Sequence, residues 1–78
     1  MACLIFTPLE IIDLESLGFT VVENSKNSAI LQIRMEALNI VRTVAGRFML
    51  GPEIYSTKAA LMEALYAEYL AQLNIAQD

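Results

Sequence analysis

Glu10, Asp13 and Glu15 crowd together near the start of the chain. Close carboxylates can do acid–base work or ligate a metal. Glu10, however, stands three residues after Thr7 in Thr7-Pro8-Leu9-Glu10, where a capping box uses it to close a helix terminus. Asp13 and Glu15 then fit a solvated helix face. Cys3 is the single cysteine, and there is no histidine. A nucleophilic thiol needs a base or cation to lower its pKa, so Cys3 reads as a small apolar side chain beside Ala2, Leu4 and Ile5. One thiol without histidine makes neither a disulfide within the chain nor a structural zinc site. Gly18, Gly46 and Gly51, the only glycines, are too scattered for a phosphate-cradling loop. The expectation is a non-enzymatic protein with no catalytic residue, cofactor or metal.

The bases are grouped. Residues 26–58 hold all five, Lys26, Arg34, Arg42, Arg47 and Lys58, with two acids, whereas residues 1–25 hold four acids and residues 59–78 hold three, with no base in either. An acidic–basic–acidic order can be complementary within one copy or between copies. Arg42 and Arg47 are the residues that could touch nucleic-acid phosphates. A sequence pI near 4.6 and the lack of a DNA- or RNA-binding signature argue against nucleic acid as a partner.

The elements that must position these residues come from 78 residues, of which 56% are hydrophobic and 18% charged. That is a single domain, residues 1–78, too apolar for disorder. Its longest charge-free apolar stretch, 1–9, is far short of the ~20 residues that span a bilayer. The N-terminus also lacks the basic residues of a signal peptide, and a cytoplasmic address is expected. A domain this small has a thin margin of stability. Without a disulfide or zinc it must rely on its core or on a partner.

Thr7 caps a helix over 8–17, with Pro8 at its first position, Phe6 and Ile11 placed as a hydrophobic staple, and Gly18 as a left-handed terminator. Phe19–Glu23 reads as a strand, 24–28 as a turn, and 29–35 as a second strand with Leu31, Ile33 and Met35 on one side. Residues 36–50 separate cleanly on a helical wheel. Ala37, Leu38, Ile40, Val41, Val44, Ala45, Phe48 and Met49 share one sector, opposite Glu36, Asn39, Arg42, Thr43, Gly46 and Arg47. This predicts a helix starting at 35 or 36, although no capping residue precedes Glu36 and Gly46 costs ~1 kcal/mol inside a helix. The competing reading is one helix from about 28 to 50. Gly51-Pro52 ends either one. A last helix runs from a Ser56 cap to about Asn74, and Ala2–Phe6 could add a third strand joined through the first helix. The expected fold is α+β, a small two- or three-stranded antiparallel or mixed sheet with two to three helices. The alternative is an all-α three-helix domain.

The last helix is apolar on nearly all sides. Met62, Leu65, Tyr66, Tyr69 and Leu73 make a bulky face, and Ala60, Ala64, Ala67 and Ala71 make a small-residue face on the other side. Such a helix is normally buried nearly all round, and this chain has little else to cover it. Alanine also tolerates exposure, so the pattern alone does not force an interface. The expectation drawn from it is a homo-oligomeric interaction module, an adaptor, regulator or inhibitor of a protein partner. Ala60, Ala64, Ala67, Ala71, Met62, Leu65, Tyr66 and Tyr69 are its interface candidates. The second reading is a DNA-linked regulatory subunit, antitoxin-like or a phage regulator, using Arg42 and Arg47.

Overall fold

The computed structural model describes residues 4–77. It is an α+β fold in which α1 (Pro8–Ser16) precedes, and α2 (Lys58–Gln77) follows, a five-stranded antiparallel meander: β1 (Thr20–Asn24), β2 (Ser28–Ile33), β3 (Glu36–Arg42), β4 (Phe48–Leu50) and β5 (Glu53–Tyr55).

The first helix forms as its local signals dictate. The Glu10 N–H donates to Thr7 Oγ1 at 3.3 Å, and the Thr7 N–H donates to Glu10 Oε1 at 2.8 Å, completing the capping box. At the other end the Gly18 N–H reaches Glu15 O and the Phe19 N–H reaches Leu14 O, both at 3.0 Å. These are the two bonds of a Schellman motif. They require the positive φ of 103° that Gly18 adopts.

The expected helix over 36–50 does not exist, and neither does the longer one from about 28. Residues 36–42 are β3, and 36–41 pair with β2 from Ile33↔Glu36 to Ser28↔Val41. The wheel misled because the same residues also alternate with period two. Leu38 and Ile40 face the core, while Ala37, Asn39 and Val41 face away. Arg34 and Met35 are the two turn residues between β2 and β3. Arg34 alone among the described non-glycine residues has positive φ, at 54°, the φ pattern of a type II′ hairpin turn. The turn also corrects the second strand. Ala29, Leu31 and Ile33 face the core, but Met35 sits in the turn, almost fully exposed. Gly46, at φ 80°, serves the β3–β4 loop. Its N–H donates to Thr43 O, and the Thr43 N–H to Arg47 O. Gly51-Pro52 ends no helix. It is the two-residue turn between β4 and β5, with Gly51 at φ 60°.

Ala2 and Cys3 lie outside the described residues, so the proposed strand 2–6 and the reading of Cys3 rest there. Its described part, residues 4–6, is not a strand. The Asn24 side chain holds it instead: the Phe6 N–H donates to Asn24 Oδ1 and Asn24 Nδ2 donates to Phe6 O, each at 3.0 Å. The Ile5 N–H adds a bond to Ser25 O. Asn24 thus supplies with one amide what a neighbouring strand would supply with its backbone.

One face of the sheet carries the core. Ala29, Leu31, Ile33, Ile40 and Phe48 pack with Ile5 and Phe6 from the N-terminal segment, Leu14 from α1, Phe19, and Leu61 and Leu65 from α2. The chain measures 42 × 24 × 19 Å. The smallest extent fits one sheet and one helix layer, since packed layers sit ~10 Å apart.

Candidate functional site

The cap of α2 is Thr57, one residue beyond the expected Ser56. Thr57 Oγ1 accepts from the Ala60 N–H at 3.2 Å, and Thr57 O accepts from the Leu61 N–H at 3.1 Å. The first helical residue is Lys58, whose charge opposes the positive end of the helix dipole. It is stabilised by what surrounds it. Its ammonium donates to Ile5 O and sits 3.1 Å from Glu10 Oε1. It also lies 5.4 Å from the ring centres of both Phe6 and Phe48. Lys58 therefore ties α2 to the cap of α1 and to the N-terminal segment, and this clasp fixes where α2 crosses the sheet.

Glu10 is thereby committed to structure. Burial raises its pKa, but the Thr7 N–H and the Lys58 ammonium outweigh burial and hold it below its ordinary 4.5. A carboxyl whose folded pKa is lowered contributes stability above its unfolded pKa and loses it as pH falls through the folded value. We expect Glu10→Gln to cost about 1 kcal/mol at neutral pH, the scale of a cap with a partly solvated ion pair. The gap to the parent should close on acidification below pH 4.5. Urea titrations at several pH values check this, and a gap of constant size would refute the assignment. Asp13 and Glu15 lie on the exposed side of α1, where Ser16 Oγ donates to Asp13 O. Among the described residues no three His, Cys, Asp or Glu side chains are placed to hold a metal ion.

The sides of α2 sort by helical period. Leu61, Leu65 and Gln72 are buried against the sheet, with Lys58, Met62, Tyr69 and Glu68 partly buried at the flanks. Leu65, expected at an interface, lies wholly inside the chain's own core. The alanine face is divided: Ala60 and Ala64 are half-buried, Ala67 and Ala71 exposed. Tyr66 is half exposed, its ring centre 5.6 Å from that of Tyr69. The outward side is a shallow apolar depression formed by Ala59, Met62, Tyr66, Ala67 and Leu70 with the stem of Glu63. Leu70 and Leu73 are 42% and 41% exposed. On α1, Leu9 and Ile12 are more exposed still.

No family model, no curated protein and no solved structure matches this chain.

Arg42 and Arg47 are not on one helix face. Arg42 ends β3, with its N–H bonded to Asn27 O at 2.7 Å, its Nε to Lys26 O at 2.9 Å, and its guanidinium 5.3 Å from the Phe48 ring centre. Arg47 is exposed in the β3–β4 loop. The fold does gather Lys26, Arg42 and Arg47 at one end of the sheet, but the Arg42 side chain is engaged in fixing the β1–β2 turn. The sequence reading passed over Leu9, Ile12, Leu70, Val41 and Ile54 as exposed apolar residues. Leu70 had a visible signal, standing four residues after Tyr66 on the side away from Leu61 and Leu65. Val41 and Ile54 had none, because their strands were read as helix and loop. Among the described residues no helix is long and apolar enough to cross a membrane.

Proposed function

We propose that this protein is a non-enzymatic interaction module that self-associates and acts as an adaptor, regulator or inhibitor of a protein partner. One observation carries the reading. The outward side of α2, with Met62, Tyr66, Leu70 and the exposed Ala67, remains apolar after the core is built. Scattered surface apolar residues are ordinary, whereas a contiguous patch marks an interaction site. A membrane surface is the poorer occupant. In-plane helices carry Lys and Arg on their polar side, whereas α1 and α2 carry Glu10, Asp13, Glu15, Glu63 and Glu68 against Lys58 alone.

The particle mass in solution tests the proposal. Sedimentation at low-micromolar concentration is expected to give a multiple of the chain mass, and Leu70→Asp to lower it without loss of helical signal. A wild-type protein that stays a single chain as its concentration is raised would remove the reading. The DNA-linked alternative has weaker support, since it rests on exposed Arg47 and on Lys26 at one sheet end within an acidic chain. It would require duplex binding that weakens steeply with salt.

A further inference from the structure

We infer that the cleft between the C-terminal half of α2, the end of α1 and the β2–β3 turn binds a small monocarboxylic acid with an apolar acyl or aryl group. The cleft shares no residue with the Met62–Leu70 depression, and its chemistry needs no second copy of the chain.

The cleft has a volume of about 180 Å³. Leu17, Ile33, Tyr69 and Leu73 give it mostly apolar walls, and Arg34 and Gln72 line it with them. A cavity of ~150 Å³ with apolar walls holds benzene, so a group of that size fits here. Gln72 is the residue that points to a guest. It is 6% exposed, the one buried polar side chain among the described residues. Its amide has no hydrogen-bond partner among them, and neither polar atom is closed off, so the amide opens into the cleft that it lines. A buried amide without a partner costs free energy that an apolar side chain of the same length would not. A guest that supplies the missing bond offsets that cost.

Arg34 sets the charge of the guest. It is the only charged residue in the lining, and it makes no ion pair with a described residue. Glu36 stands opposite Ile33 in the β2–β3 register, but it is exposed and does not line the cleft. The carbonyls at the end of α1 are engaged, since the Gly18 and Phe19 N–H groups donate to Glu15 O and Leu14 O. The backbone adds a second sign. Arg34, at φ 54°, occupies the position where a type II′ turn takes glycine, and strain of this kind gathers at ligand sites. A guanidinium matches a carboxylate with two parallel hydrogen bonds. Inorganic phosphate fits less well, because its remaining charged oxygens would meet apolar walls.

Titration of the ¹⁵N-labelled full chain with sodium benzoate tests the site, with benzamide as the uncharged match. Benzoate is expected to give shifts that saturate at millimolar ligand. They should be confined to the Gln72 side-chain amide and to the backbone amides of Leu17, Gly18, Ile33 and Arg34. Benzamide should bind at least ~10-fold more weakly, the scale of one charge-assisted hydrogen bond. Arg34→Gly separates binding from folding. Glycine suits the turn, so this variant should unfold at higher urea while its benzoate affinity falls at least ~10-fold. Gln72→Met should also weaken benzoate, with no loss of stability. Shifts that do not saturate or that spread beyond the cleft would overturn the inference. So would benzamide binding as tightly as benzoate, phosphate displacing benzoate, or parental affinity in Arg34→Gly. Destabilisation by Gln72→Met would assign the amide to the fold and overturn it too.

Discussion

Leu65→Ala is expected to bring the protein close to unfolding at physiological temperature. Leu65 is fully buried, in the core that α2 shares with the sheet. Truncating a buried leucine costs ~2–5 kcal/mol, combining lost transfer energy with a cavity that closes only in part. A domain of this size has at most a handful of kcal/mol in reserve, roughly 3–5 from its core. Its core cannot collapse around the hole easily, because the Lys58 clasp at one end of α2 fixes the helix relative to the N-terminal segment. Urea unfolding should show a lower midpoint with an unchanged slope, the signature of lost stability rather than of a changed unfolded state. Leu73→Ala, at a position 41% exposed, should cost below ~1 kcal/mol as the matched control. Equal costs at the two positions would mean that α2 is not anchored as described. The comparison separates two positions on one helix: Leu65 is enclosed by the core, and Leu73 lies at the rim of the depression beside Leu17 and Ile33.

Asn24→Ala is expected to cost about 2–3 kcal/mol, far more than the volume removed would suggest. The Asn24 amide bonds both the N–H and the carbonyl of Phe6, whose side chain is fully buried. Alanine leaves both backbone groups without partners in a place that water reaches poorly, and an unmade buried hydrogen bond costs more than a made one contributes. Asn24→Asp keeps the acceptor for the Phe6 N–H but loses the donor to Phe6 O, so its cost should fall between those of the parent and alanine. Amide exchange at Phe6 reads the local effect, and denaturant titration the global one. Unchanged exchange at Phe6 in Asn24→Ala would show that Ser25 and Lys58 hold the segment without it. The stakes extend to α1, because Phe6 immediately precedes the Thr7 cap and the segment carries the Ile5 carbonyl that receives Lys58.

How legible each part was depends on the distance along the chain over which its cause acts. The first helix could be read to within a residue, because Thr7, Pro8, Glu10 and Gly18 act within one helical turn of where they stand. The β1–β2 turn was legible for the same reason. Residues 36–50 were not, since their apolar positions satisfy a wheel and an alternating strand about equally. The two signs that pointed away from helix, the missing cap before Glu36 and Gly46 inside the run, were weak beside the periodicity. What settles them is pairing with β2 across the Arg34-Met35 turn, and neither residue of that turn is a type that announces a hairpin. Three-residue strands such as β4 and β5 hold too few residues for any periodicity to register, and Gly51-Pro52 serves a hairpin turn as well as a helix stop.

The candidate interface divides in the same way. An over-apolar last helix is a property of composition and was evident from its residues, but which side it buries is not. A helix apolar nearly all round offers no preferred face of its own. The choice of Leu61, Leu65 and Gln72 as the inner side follows from Lys58 meeting Glu10 and Ile5, contacts spanning some fifty positions of sequence. The amino-acid sequence by itself determined two terminal helices, an α+β class, an acidic chain without disulfide or histidine, and a surplus of apolar surface. Only tertiary structure decided that the middle is sheet, that Leu65 is core while Leu70 is surface, and that the surplus lies on two opposite faces. Caps and turns draw on neighbours in sequence, whereas strand pairing and the facing of a uniformly apolar helix draw on groups that folding alone brings together.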